Sequence, residues 1–150
     1  MRILVQKVKK AKVLVSDQII SKIDKGLLIF LGVEDEDNEN DIEWLVKKII
    51  NLRIFNDSNR IMNFSVKDID GEILIVSQFT LMASIKKGNR PSYIKASGKY
   101  FAKKMYEKFV ENLDNSFGKK TKCGVFNANM EVKLINDGPV TIWMDTKNKQ

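Results

Sequence analysis

The sequence predicts a single α+β domain, and three observations carry that expectation. Apolar and polar residues alternate at the start of the chain, as in half-buried strands. Two unbroken apolar runs, Gly26-Leu27-Leu28-Ile29-Phe30-Leu31-Gly32-Val33 and Ile73-Leu74-Ile75-Val76, read as central strands, the second buried on both faces. Two stripes at helical spacing, Ile42-Leu45-Val46-Ile49 and Phe101-Met105-Phe109-Leu113, read as helices with one apolar face.

Composition bounds the rest. The 150 residues, with 43% hydrophobic and 30% charged, suit one globular domain spanning 1–150. No apolar run approaches the ~20 residues of a membrane span. Met1-Arg2-Ile3-Leu4 is interrupted by charge at once and does not read as a signal peptide. The lone Cys123 suits a reducing cytoplasm. The chain has no histidine, which removes Ser-His-Asp and Cys-His chemistry and the usual zinc sites. No metal or cofactor is expected. The net charge of +7 points to a polyanion such as nucleic acid, or simply to a lysine-favouring composition.

In chain order, Ile3, Val5, Val13 and Val15 alternate with polar residues, and Ser16-Asp17-Gln18 reads as a turn into Ile19–Ile23. Asp24-Lys25-Gly26 is the next turn, giving an antiparallel meander ahead of the first apolar run. The acidic run Glu34–Asp41 precedes the first helix, with Lys47 and Lys48 late in it, a placement that complements the helix dipole. A calcium loop would need a glycine that is missing there. Leu52–Phe55 reads as a short strand, Asn56–Asn59 as a turn, and Asp70-Gly71 as the turn into the second apolar run.

That run ends abruptly in Ser77-Gln78-Phe79-Thr80-Leu81. Polar groups at the end of a buried strand must be paired, at a cost of about 1–3 kcal/mol each if they are not. They either cap the strand or meet a ligand. Next comes the basic loop Ser84–Ser92, carrying Lys86, Lys87 and Arg90 and ending in a proline suited to a helix's first turn. The second helix adds Lys99, Lys103, Lys104 and Lys108. Asn115–Lys122 reads as a loop. Gly124, Phe126, Ala128 and Met130 then alternate with asparagines, either as a core-facing strand or as one wall of a site. Met130–Ile135 and Val140–Met144 are the last strands, joined by Asn136-Asp137-Gly138-Pro139, for which the residues alone predict a trans peptide.

Ser77-Gln78-Phe79-Thr80-Leu81 and Asn136-Asp137-Gly138-Pro139-Val140-Thr141 resemble, in order and separation, the two signature motifs of the D-aminoacyl-tRNA deacylases. The intervening Lys87–Ser92, the opening Met1–Val8 and the length resemble that family too. The resemblance implies a layered β/β/α fold with antiparallel-rich sheets and two main helices, assembled as a cytoplasmic homodimer. It implies hydrolysis of the ester joining a D-amino acid, or mischarged glycine, to the 3′ end of tRNA, with no DNA or membrane partner. Backbone N–H groups of Phe79 and Thr80 would bind the ester carbonyl, and Ser77 and Gln78 would shape that pocket. Gly138 and Pro139, in a cis peptide, would enter the partner's site and reject L side chains. Phe126, Ala128 and Met130 resemble the wall beside the terminal adenosine. Lys86, Lys87 and Arg90 would meet acceptor-stem phosphates.

In such enzymes the ribose 2′-OH does the proton work, in keeping with the missing histidine. The Thr80 hydroxyl has no base in sequence to make it a nucleophile. Lys7 departs from the arginine the family usually carries to brace the Gly-Pro loop, and it lacks the planar fork. A non-catalytic RNA-binding module is the competing expectation. It would have no need of the Ser77–Leu81 stretch.

Overall fold

The computed structural model describes residues 1–149. β1 (Arg2–Val15) turns through Ser16 and Asp17 into β2 (Gln18–Ile23). Both turn residues have positive φ, 50° and 63°, the two-residue turn whose twist matches the flanking strands. β3 (Gly26–Gly32) follows a tight turn and stays on the same edge of β1. Ala11 faces Ile23 and Val8 faces Gly26, so β2 and β3 form one bent arm along β1. The strands are antiparallel as expected, but they do not form the expected meander: β3 pairs with β1 and not with β2, because the long β1 offers a single edge to both.

α1 (Glu39–Asn51) starts at a reciprocal cap. The Asn38 side chain accepts from the Asn40 N–H at 3.0 Å, and the Asp41 carboxylate accepts from the Asn38 N–H at 2.9 Å. The acidic run thus serves the helix start, as read from the sequence. β4 (Phe55–Asn56) and β5 (Met62–Phe64) make a separate small hairpin. The expected strand over Leu52–Phe55 therefore begins only at Phe55.

β6 (Glu72–Ser77) is the second apolar run. Residues 73–76 are at most 1% exposed, as expected of a strand covered on both faces. It runs parallel to β3, with Leu27 facing Ile73 and Leu31 facing Ser77. A 3-10 turn, Phe79–Met82, follows.

α2 (Lys99–Phe117) buries Met105, Tyr106, Phe109, Leu113 and Phe117. It runs past the expected loop start at Asn115, because Phe117 completes the apolar stripe, and it stops at Gly118 in the left-handed region. Pro91 does not open this helix. It lies before it, in a loop pinched by Ser84 and Ser92, which pair through backbone bonds of 2.8 and 2.9 Å.

β7 (Lys122–Cys123) pairs parallel with β6. β8 (Glu131–Asp145) runs along the other edge of β1 as one strand where the sequence suggested two. The sheet is therefore mixed, antiparallel around β1 and parallel on both sides of β6. It curls until its ends approach, and the Ser21 hydroxyl of β2 donates to the Cys123 carbonyl of β7 at 2.8 Å.

Curling gives two cores. Ile3, Val5, Leu27, Ile29, Ile73 and Ile75 face the helices. Val8, Val13, Leu28, Leu74 and Val76 point into the curl. Among the described residues no helix is long and apolar enough to cross a membrane.

Candidate active site

The polar end of β6 opens into a cavity of about 400 Å³. Its position follows from three pins. The Gln78 N–H donates to the Leu31 carbonyl at 2.7 Å, carrying the β3–β6 register one residue past Ser77. The Ser97 N–H donates to the Val33 carbonyl at 3.0 Å and ties the start of α2 to the end of β3. The Ile75 carbonyl accepts from both the Tyr106 hydroxyl, at 3.2 Å, and the Gly124 N–H, at 2.9 Å. Those two bonds draw α2 and the segment after β7 against β6.

Ser77, Gln78 and Phe79 line the cavity on one side, and Phe126, Ala128 and Met130 on the other. Two stretches singled out in the sequence, with the whole of α2 between them, thus share one space. Residues 125–128 are not an extended strand, however. The Ala128 N–H donates to the Val125 carbonyl at 3.2 Å, and Asn127 sits at φ 62°. Asn127 and Asn129 consequently line the cavity as well, which alternation alone did not suggest. Ser97, Lys99 and Tyr106 are further lining residues. Tyr106 was hidden in the core stripe, and its buried hydroxyl is the signal that could have marked it. Burial, with Cys123 beside it, pushes the phenol well above its ordinary range, so it stays protonated and donates.

Thr80 lies outside the lining, and its hydroxyl accepts from the Gln78 amide. Leu81 is the first residue of the 3-10 turn to donate within it, to the Gln78 carbonyl at 3.3 Å. The N–H groups of Phe79 and Thr80 come before any such acceptor, as at every helix start. The Phe79 ring is exposed and meets Tyr93 edge-on, with centroids 5.1 Å apart. Lys86, Lys87 and Arg90 are exposed on the pinched loop and do not line the cavity.

The cavity lining holds no carboxylate and no thiol. Among the described residues no three Cys, Asp or Glu side chains gather to hold a metal ion.

Gly138 and Pro139 are exposed and lie outside this cavity. The peptide between them is cis, against the trans expectation from residue type. Gln6 faces Thr141 and Val8 faces Asn136, so residues 137–140 oppose Lys7 alone and bulge from the strand. Lys7 is buried beneath the bulge. Its ammonium donates to the Ile54 carbonyl at 3.3 Å, lies 3.4 Å from an Asp137 oxygen and sits over the Phe55 ring. Inside the bulge the Asn136 side chain accepts from the Val140 N–H at 3.1 Å.

Residues 4–145 match the family described as D-Tyr-tRNA(Tyr) deacylase. A protein of Flavobacterium psychrophilum named D-aminoacyl-tRNA deacylase is 58% identical over the whole of both chains. A solved structure described as c-Myc DNA Unwinding Element Binding Protein superposes with a TM-score of 0.93 at 40% identity, over 97% of this chain and 99% of that one. Another, described as a probable eukaryotic D-amino acid tRNA deacylase, gives 0.82 at 16% identity over 95% and 97% of the two chains, a likeness of fold.

Proposed function

The chain belongs to the D-Tyr-tRNA(Tyr) deacylase family and is an ester hydrolase with a tRNA-editing role; from that premise we propose how its cavity cleaves D-aminoacyl-tRNA. The aminoacyl ester at the 3′-terminal adenosine enters the cavity. The adenine lies against Phe126 and Met130, and the amino acid lies beside Ser77 and Gln78. The ester carbonyl oxygen accepts from the N–H groups of Phe79 and Thr80. Water adds to the carbonyl carbon, the acyl–oxygen bond breaks, and the products are the free amino acid and tRNA with an unesterified ribose. The oriented donors lower the barrier as charge develops on the oxygen, and one such donor is worth about 2.7–4 kcal/mol in a hydrolase.

The observation that carries this mechanism is the cavity's chemistry. Its lining offers N–H donors and apolar walls but no carboxylate or thiol to act as base. We assign the proton work to water and the substrate's own 2′-OH, with the Lys99 amine the one other basic side chain in the lining. The undonated N–H groups at the start of the 3-10 turn support the oxyanion role, and the hydroxyl of Thr80, turned to Gln78, has no part in it. In a homodimer, Gly138 and Pro139 of the partner subunit would close the cavity and leave room for hydrogen but not for an L side chain. Glycyl-tRNA would pass the same screen. Lys7, under the bulge and beside Asp137, would hold that screen in place.

Deacylation of D-tyrosyl-, L-tyrosyl- and glycyl-tRNA by the purified protein tests the reading. Rapid loss of the D and glycyl esters with the L ester spared is expected. Loss of D and L esters at equal rates would remove the screening role of Gly138-Pro139. Binding of tRNA with every ester intact would leave a nucleic-acid-binding protein, the reading favoured by the net charge of +7.

A further inference from the structure

Three lysines stand in one row across three neighbouring strands. Lys12 in β1 faces Lys22 in β2 across one edge and Lys133 in β8 across the other. Residues so paired point to the same side of a sheet, with strands about 4.8 Å apart, and like charges placed opposite one another are destabilising. Lys10 lies on the same side, two residues along β1. Acid compensates little of this charge. Glu131 reaches Lys133 at 3.1 Å, while among the described residues no carboxylate comes within 4.0 Å of Lys10, Lys12 or Lys22. Asp24 lines the same shallow groove, which has a volume of about 240 Å³.

The row is joined to the cavity by β8. Met130 and Val132 line the cavity, and Lys133, next in the strand, turns outward into the row. A charge cluster built at a cost to the sheet, with Glu131 its one ion-pair partner among the described residues and one residue from the site, suits a polyanion that is already docked there.

We propose that the Lys22–Lys12–Lys133 row is a second contact surface for the phosphate backbone of the tRNA whose 3′ end occupies the cavity, a reading that rests on the deacylase function above. A second copy of this chain fits the row poorly. The chain carries +7 overall, and its acidic run already commits Asp37 to the Met1 amine and Asp41 to Lys147. Each phosphate contact steepens the salt dependence of binding by about 0.9 in the log–log slope, so the row has a thermodynamic signature of its own.

The test replaces all three residues, Lys12→Gln, Lys22→Gln and Lys133→Gln, in the full-length protein. Four quantities are read: KM for D-tyrosyl-tRNA, turnover of the D-tyrosyl ester of adenosine, uncharged tRNA binding across about 50–300 mM salt, and the melting temperature. KM for the tRNA should rise at least about tenfold and the binding slope should become shallower by about 2–3. Turnover of the nucleoside ester should be unchanged, and the melting temperature equal or higher, since like-charge repulsion has been removed. Parental KM and slope in the variant would overturn the proposal. So would equal losses on tRNA and nucleoside ester, which would mark a structural effect. A changed sedimentation mass with unaltered tRNA affinity would also overturn it and give the row to a second copy. Should the parental protein cleave neither ester, the hydrolase reading falls; a loss of tRNA binding in the variant would still support the row.

Discussion

Lys7 joins the fold to the site at a single residue. Its stem is buried among core side chains while its ammonium is shared between the Ile54 carbonyl and Asp137. Among the described residues, Lys9, at 4.0 Å, is the one other cation within ion-pair distance of Asp137. Lys7→Met keeps the apolar stem and removes the charge. It should lower stability by about 1–3 kcal/mol, the range for leaving a partly buried polar group unpaired. Because Asp137 adjoins Gly138, the variant should also lose part of its discrimination between D- and L-tyrosyl-tRNA while cleaving the D ester. Urea unfolding and paired deacylation assays measure the two effects, and parental values in both would refute the bracing role. The sequence pointed to Lys7 only by its departure from arginine. The residues it touches, Ile54 and Phe55, lie at the start of β4, and no local pattern shows that this short strand packs beneath the Gly138-Pro139 bulge.

Among the elements, β6 controls the position of the site, and its parallel pairing with β3 depends on one close approach. A Cβ on Gly26 would lie 1.9 Å from the Glu72 carbonyl oxygen, a backbone atom that cannot rotate away. Gly26→Ala should therefore force β3 and β6 apart at the start of their register, with destabilisation above about 3 kcal/mol or failure to fold. Gly98→Ala, with nothing within 4 Å of the added carbon, should be nearly neutral. Soluble yield and chemical unfolding of the pair decide this; a mild Gly26→Ala would mean the strand ends can slide.

Strands, helices and the acidic cap were legible because periodicity and dipole complementarity are local signals. The union of β2 and β3 into one arm, the continuity of β8 through Pro139 and the length of α2 were not. Each is set by a partner distant in the chain: β1 for the first two, the core around Phe117 for the third. The cavity was half legible. The polar end of β6 announced itself, whereas Ser97 and Tyr106 join it only through α2 packing.

At the scale of the whole molecule, two carboxylates tie together segments that strand pairing does not. Asp41 accepts from the Asn38 N–H and meets Lys147 at 3.0 Å, linking α1 to the segment after β8. Asp114 in α2 accepts from the Thr121 N–H and hydroxyl, both at 2.8 Å, and meets Lys120. Burial alone would raise both carboxyls, but the Thr146 side chain beside Asp41 and these donors outweigh it and leave each below its ordinary value. A carboxylate lowered in the folded state adds stability above its unfolded value, near 3.9, and that stability is lost as pH falls through the folded one. The melting temperature should hold above about pH 5 and decline below about pH 4, and Asp41→Asn with Asp114→Asn should flatten the decline. Equal acid sensitivity in the double variant would assign the effect to other groups.

The pairing of β1 with β8 also has a consequence in time. The β1–β2 hairpin closes a two-residue turn, whereas Arg2 must find Asp145 across almost the entire chain. Closing a loop of that length costs more entropy than closing the hairpin, and topologies rich in such pairings fold more slowly. Met130, Val132 and the Asp137–Val140 bulge all belong to the late partner or adjoin it. Phe126 and Ala128 are tied to β6 through Gly124, so the cavity's second wall is begun without β8 and completed by it, and the enclosure beside Phe79 depends on the most distant pairing in the chain.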